Sequence, residues 1–436
     1  MIVLAHGIGG RSDLPVPLWL AVYASAAAVV VSFFVAVAFW PQPRLDEQRG
    51  RPLPAGLTRF ADAGLTRAVL RALGVLALAV FLVTACAGPA SSAVNPAPTW
   101  LYVWFWVGLV PASVLLGPVW RLLNPVRVVT LATGGRPLLG ERAEPVVARA
   151  GYWPAVAGLA AFLWLELVYA EPDSPRAVAV FVTGYVLVHA VAGALLGPRW
   201  FDRGDGFEAY SSLLGRLAPL GRHGGRLVVR NPLAGLAGLR PAAGLVAFVC
   251  LLLGSTAFDG LSRTMPWRNL TNGADPLAAA ALGTAGLAAA VAAVAAVYRG
   301  ALALTRPYIV DSGRSLSMAF AHTLIPIAVG YTVAHYFSLA VFQGQAGLLL
   351  AGDPLGLGWN LLGTAGGRID YTVVSTSTIA LVQVAAIVAG HVVGVVTAHD
   401  RAVGLLSRRD TRRGQYPLLA VMVAYTSAGI ALLVGT

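Results

Sequence analysis

Lysine is absent from this sequence: all 31 cationic side chains are arginine, against 19 acidic ones. Charge of either sign is scarce, at 11% of 436 residues, and there are only two cysteines, Cys86 and Cys250. Both cysteines fall inside apolar runs far apart in the chain, which argues against a disulfide framework or a cysteine metal site. So little charge excludes an ordinary soluble exterior. There is no Gly-x-Ser-x-Gly elbow, His-Glu-x-x-His helix or Walker loop, so the hydrolase and nucleotidase chemistries that carry those motifs have no support.

What the chain has in abundance is apolar sequence: 57% of residues are hydrophobic and the mean hydropathy is +0.73. A hydrocarbon layer of about 30 Å takes roughly 20 apolar residues per helix. Ten stretches qualify: 17–40, 69–88, 98–118, 150–170, 177–197, 241–260, 276–298, 315–342, 371–397 and 416–435. The first is longer than a signal-peptide core and has no basic segment before it, so it reads as a retained anchor. The expected fold is all-α, a polytopic transmembrane helix bundle forming a single integral membrane domain over 1–436.

The arginines fix an orientation. All but Arg11, Arg176, Arg263, Arg268 and Arg368 fall in the alternate loops 44–71, 119–149, 198–240, 299–314 and 398–413. Basic loops stay in the cytoplasm, which puts both termini outside it and suits a bacterial cytoplasmic (inner) membrane. The net charge of +12 is thereby explained by the lipid bilayer as partner, with no nucleic acid implied. In the basic loop 198–240, "RWFDRGDGFEAYSSLLGRLAPLGR" interleaves aromatic and aliphatic residues with charges, as an interfacial helix does. Its Asp202, Asp205 and Glu208 lack calcium-loop spacing and are expected on a solvated face. One internal echo, "LLGPVW" at 115–120 and "LLGPRW" at 195–200, closes two helices that both run toward the cytoplasm.

Ionisable groups inside spans are costly and read as functional by default. His189, His322, His335, His391 and Glu166 all lie in apolar stretches. From the axial rise of a helix, His322, His391 and His189 fall on the cytoplasmic side of the midplane and form an expected inner cluster. His335 and Glu166 fall on the outer side, where Tyr331 on the same helix and His6 and Asp13 of the amino-terminal "AHGIGGRSD" would join them. His322 and His335 are about 20 Å apart along one helix, too far to share one metal ion. Pro326 between them is the expected helix break. Gln383, Gly390 and Thr397 make a seven-residue stripe suited to helix packing or a water path.

At "AHGIGGRSDLPVP", "HTLIPIAVGYTVAHYFSLAVFQGQ" and "GHVVGVVTAHDRAV" the chain resembles actinobacterial multi-span membrane proteins often labelled fenitrothion hydrolase. The resemblance runs from the amino-terminal tail to the last two spans. It implies a membrane location and hydrolysis of organophosphate esters.

Several functions fit these features, and they leave open whether the chain is an enzyme. The favoured one is a proton- or metal-linked transporter or permease for a small solute or ion. A second is a membrane-embedded hydrolase in which His322, His391 and His189 hold a zinc- or copper-like ion. A third is a b-type haem protein, since a 13-residue histidine spacing resembles that of di-haem bundles. An accessory subunit of a larger membrane complex is the fourth.

Overall fold

The structure, a computed structural model, describes residues 17–310, 315–407 and 409–434. An all-α polytopic bundle forms. Among the described residues nine helices are long and apolar enough to cross a membrane, and a pair bent by 63°, Gly140–Ala150 with Trp153–Leu167, makes ten if counted as one span. In chain order the helices used below are α1 (Leu18–Phe39), α2 (Gly64–Ala87), α3 (Ala97–Leu116), α4 (Trp153–Leu167), α5 (Pro175–Leu196) and α6 (Gly206–Leu214). They continue with α7 (Leu245–Ser262), α8 (Pro276–Thr305), α9 (Leu324–Leu350), α10 (Thr376–Leu405) and α11 (Tyr416–Val434). The expected spans differ from these mainly at their ends; the stretch 371–397, for example, becomes helical only from Thr376, where the Ser375 side chain accepts from the Thr378 amide and caps the helix.

The chain divides into two compact units, one built from residues 1–49, 232–338 and 374–436, the other from 50–231 and 339–373. Helix α9 belongs to the first unit as far as Ser338 and to the second from Leu339 onward.

In the first unit α1 packs on α10 and α11, and α7 packs on α8. Helix α1 shows how an apolar sequence sorts itself here. It buries Ala21, Ser25, Val29, Phe33 and Ala36, spaced three and four apart along one face. It leaves Trp19, Tyr23, Val31, Phe34 and Phe39 outward, where lipid rather than water must cover them. The break expected at Pro326 falls just ahead of it. Leu316–Phe320 is helical, Ala321–Thr323 is a 3-10 turn, and Pro326 stands in the first turn of α9. Proline has no N–H to offer the carbonyl of His322, four residues back, and its ring crowds that carbonyl. The tighter turn around His322 is the result. Farther along, α9 and α10 approach backbone to backbone. A Cβ added to Gly390 would sit 2.7 Å from the Pro326 carbonyl and 3.2 Å from the Gly330 Cα. The Gly390 position of the stripe is therefore a packing contact.

In the second unit α6 is the centre. Phe207, Ala209, Tyr210, Leu213 and Leu214 are buried, and Trp106, in a π-helical stretch of α3 (Trp100–Val107), stacks on Tyr210 with ring centroids 4.5 Å apart. The segment expected to lie along the membrane interface is thus core. The echoed hexamers are equivalent helix stops: Gly117 ends α3 at φ 94° and Gly197 ends α5 at φ 79°, a backbone conformation glycine adopts without strain, and each is followed by proline. The second unit also carries a small three-stranded antiparallel sheet. Its order is β1 (Arg51–Pro52), β3 (Arg226–Val229), β2 (Leu220–His223).

Gly390→Val should force α9 and α10 apart and cost about 3 kcal/mol, the upper end of ordinary overpacking. Thermal unfolding of the purified variant in detergent measures it, and an unchanged midpoint would contradict the close crossing.

Candidate functional site

The first unit brings three ionisable residues together near the end of α7. Asp259 and Arg263 are four apart, one helical turn, and the guanidinium donates to both carboxylate oxygens at 3.0 to 3.2 Å. His335 of α9 reaches the same carboxylate: its Nε2 is hydrogen-bonded to Asp259 Oδ2 and lies 3.4 Å from the arginine. His335 and Asp259 side chains are 5% and 9% exposed, so both are enclosed by protein. Tyr336 closes the imidazole from one side, edge-on at 4.8 Å. The sequence signal for this group was the Asp259/Arg263 spacing, hidden because 259 falls at the end of its apolar stretch and Arg263 just beyond it.

The residues expected in the outer cluster have the following surroundings. His335 takes Asp259 and Arg263 as partners. Glu166 is buried in the second unit at the end of α4. Tyr331 turns to other company: its hydroxyl donates to the Tyr425 carbonyl at 2.7 Å and its ring meets His391 edge-on at 5.8 Å. A residue four positions before His335 shares its face, but α9 is flanked on that face by more than one neighbour. His6 and Asp13 lie outside the described residues.

The three inner histidines each take a separate partner. His322 faces the backbone carbonyls of Ala319 and Thr397. His391, fully buried, donates from Nδ1 to the Ile387 carbonyl of its own helix at 2.9 Å. Its Nε2 has no hydrogen-bond partner among the described residues. His189, in the second unit, accepts at Nδ1 from the Trp200 indole at 3.1 Å. Among the described residues no group of three or more His, Cys, Asp or Glu side chains is placed to hold a metal ion.

In the last turns of α10, a further pair, His399 and Asp400, acts as an anchor. Asp400 accepts from the Trp40 indole and the amides of Arg44 and Leu45. His399 sets Nδ1 against Gln415 Oε1 and Nε2 against the Trp40 carbonyl, at 2.9 and 3.0 Å. Together they tie the chain leaving α1 to the end of α10.

The second unit holds a polar network that departs from the solvated-face expectation at Asp205 and Glu208, while the Asp202 side chain is 40% exposed. Asp205 is 1% exposed and Glu208 not at all. Asn124 donates to both, at 2.8 and 3.1 Å, and Arg127 donates to Glu208 and to Asp202. The Tyr185 hydroxyl donates to Asp205 at 2.6 Å, while the same carboxylate caps α6 by accepting from the Phe207 and Glu208 amides. Burial pushes the Glu208 carboxyl above its ordinary range, and Arg127 and Asn124 pull it back. Asn124 and Arg127 come from the turn that follows "LLGPVW", and the carboxylates from the turn that follows "LLGPRW". The echo therefore marks two halves of one network, which composition could not disclose.

Comparison with family models, with curated proteins and with solved structures returns no match for this chain.

Arg127→Ala leaves the buried Glu208 without its cation and should destabilise the protein by about 3–5 kcal/mol. The double variant Arg127→Met with Glu208→Leu, which removes both charges at once, should recover most of that loss. Unfolding midpoints of the two proteins check this, and equal losses would contradict it.

Proposed function

We propose that this chain is a proton-linked transporter of a bacterial cytoplasmic membrane, with His335, Asp259 and Arg263 as its proton-carrying site. The observation that carries the reading is a His-carboxylate-Arg group whose His335 and Asp259 side chains are buried between two apolar helices, with Arg263 partly exposed at the end of α7. Ionisable groups so placed mark proton relays and solute paths in membrane proteins. Helix packing alone is served by the small residues already found at Gly330 and Gly390, and needs no charge.

The chemistry is that of one acceptor with two suitors. When His335 is neutral, Arg263 holds Asp259 through both oxygens. When the imidazole takes a proton, it becomes a second cation on the same carboxylate, and the arginine's share weakens. Proton arrival thus changes which helix the carboxylate grips, α9 or its own α7. That is the kind of two-state contact by which a bound proton biases a conformational equilibrium. The proton form of the reading is preferred over the metal form because the described residues gather no metal-ligand set. With the basic loops inside, α7 runs outward and the group lies toward its outer end.

Proteoliposomes loaded with a pH-sensitive dye and given an imposed pH gradient should acidify faster than protein-free vesicles. His335→Gln and Asp259→Asn should each slow this by at least tenfold while the protein stays folded and monodisperse. Wild-type vesicles that acidify no faster than empty ones, or a His335→Gln variant of full rate, would sink the proposal.

A further inference from the structure

The second unit carries a cleft of about 660 Å³ among α2, α3 and α5, within the range of small-molecule sites. Among the aliphatic side chains of its walls stand the aromatic residues Phe81, Trp100, Trp104, Phe105, Trp120 and Phe207, with Trp100 and Trp104 stacked at 6.1 Å. Part of the α3 wall is the π-helical turn Trp100–Val107, a distortion that recurs at functional sites. The floor is Asn124, Tyr185 and Asp205. In a chain with 31 arginines, none lines this cleft, and Asp205 is its one charged lining residue among those described.

The state of Asp205 decides what the cleft would accept. The neighbouring carboxylates Glu208 and Asp202 share Arg127. The described partners of Asp205 are all neutral: the Tyr185 hydroxyl, the Asn124 amide and two backbone amides at the start of α6. Its Oδ2 accepts one hydrogen bond, from Asn124, where a carboxylate oxygen has room for two. A buried negative charge with neutral partners, at the end of an aromatic cleft, attracts positive charge. Aromatic faces attract the same charge through their quadrupole. An acyl chain would fill the walls and gain nothing from the floor, and an anion would be repelled by it.

We propose that this cleft is a binding site for lipophilic cations, apolar molecules carrying a single positive charge such as hydrophobic amines or quaternary onium ions. It stands independently of the proton reading, because it rests on side chains of the second unit alone.

The test is titration of the full chain in nanodiscs with tetraphenylphosphonium, and in parallel with tetraphenylborate, its counterpart of opposite charge, each corrected for empty discs. The cation should bind saturably and the borate should not. Asp205→Asn should weaken cation binding at least tenfold, and Val182→Trp, which fills the cleft from α5, should abolish it. Equal binding of the two ions would show an apolar groove only and overturn the proposal, as would undiminished cation binding by a folded Asp205→Asn. Should Asp205→Asn fail to fold, Val182→Trp decides: retained binding overturns the site.

Discussion

Hydrocarbon offers no hydrogen bonds, so every polar group carried into it must find its partners in the protein. This constraint organises the whole chain. It turns Trp19, Tyr23, Phe34 and Phe39 of α1 outward and gives the face that holds Ser25 to the protein. It explains why the histidines inside the spans all lie against carbonyls, carboxylates, indoles or aromatic rings. It also explains the shape of α9, where the proline that removes one N–H is placed in the first turn, so that the disturbance is confined to the short turn around His322.

The same constraint gives the second unit its centre. Helix α6 is too charged to lie in lipid and too apolar to lie in water. It resolves the conflict by burying its aromatic residues against α3 and α4 and by matching its carboxylates to Asn124 and Arg127. A buried ion pair contributes little net stability compared with apolar packing. What this one supplies is a fixed relation between two turns that come from distant parts of the sequence.

The architecture was legible because apolar length is a local property: a run of twenty residues announces a span without reference to anything else. Partners are not local. That His335 would meet a carboxylate was inferable from the cost of leaving it alone, but depth along an axis says nothing of azimuth. Glu166 was therefore named on height alone, while the carboxylate that meets His335 is Asp259. Asp205 and Glu208 were assigned to solvent for a related reason. Their surroundings in sequence are polar, and the residues that enclose them lie some eighty positions away. The echoed hexamers were the one long-range clue, visible in the letters but without a meaning until both glycines proved to stop helices beside a shared network.

A guanidinium does not release its proton at any physiological pH, and Arg263 grips Asp259 with no water-filled gap between them. The two charges cancel, so with a neutral imidazole the pocket is uncharged, and with a protonated one it carries a single positive charge. It has no anionic form while the pair holds. On the proposed reading, an electric field across the bilayer would exert no net force on the group with a neutral imidazole and would act on it once protonated, with about 2.3 kcal/mol available per 100 mV for a charge crossing the whole field. On the proposed proton-carrying reading, the pairing of Arg263 with Asp259 would make membrane voltage a force that distinguishes the protonated group from the neutral one.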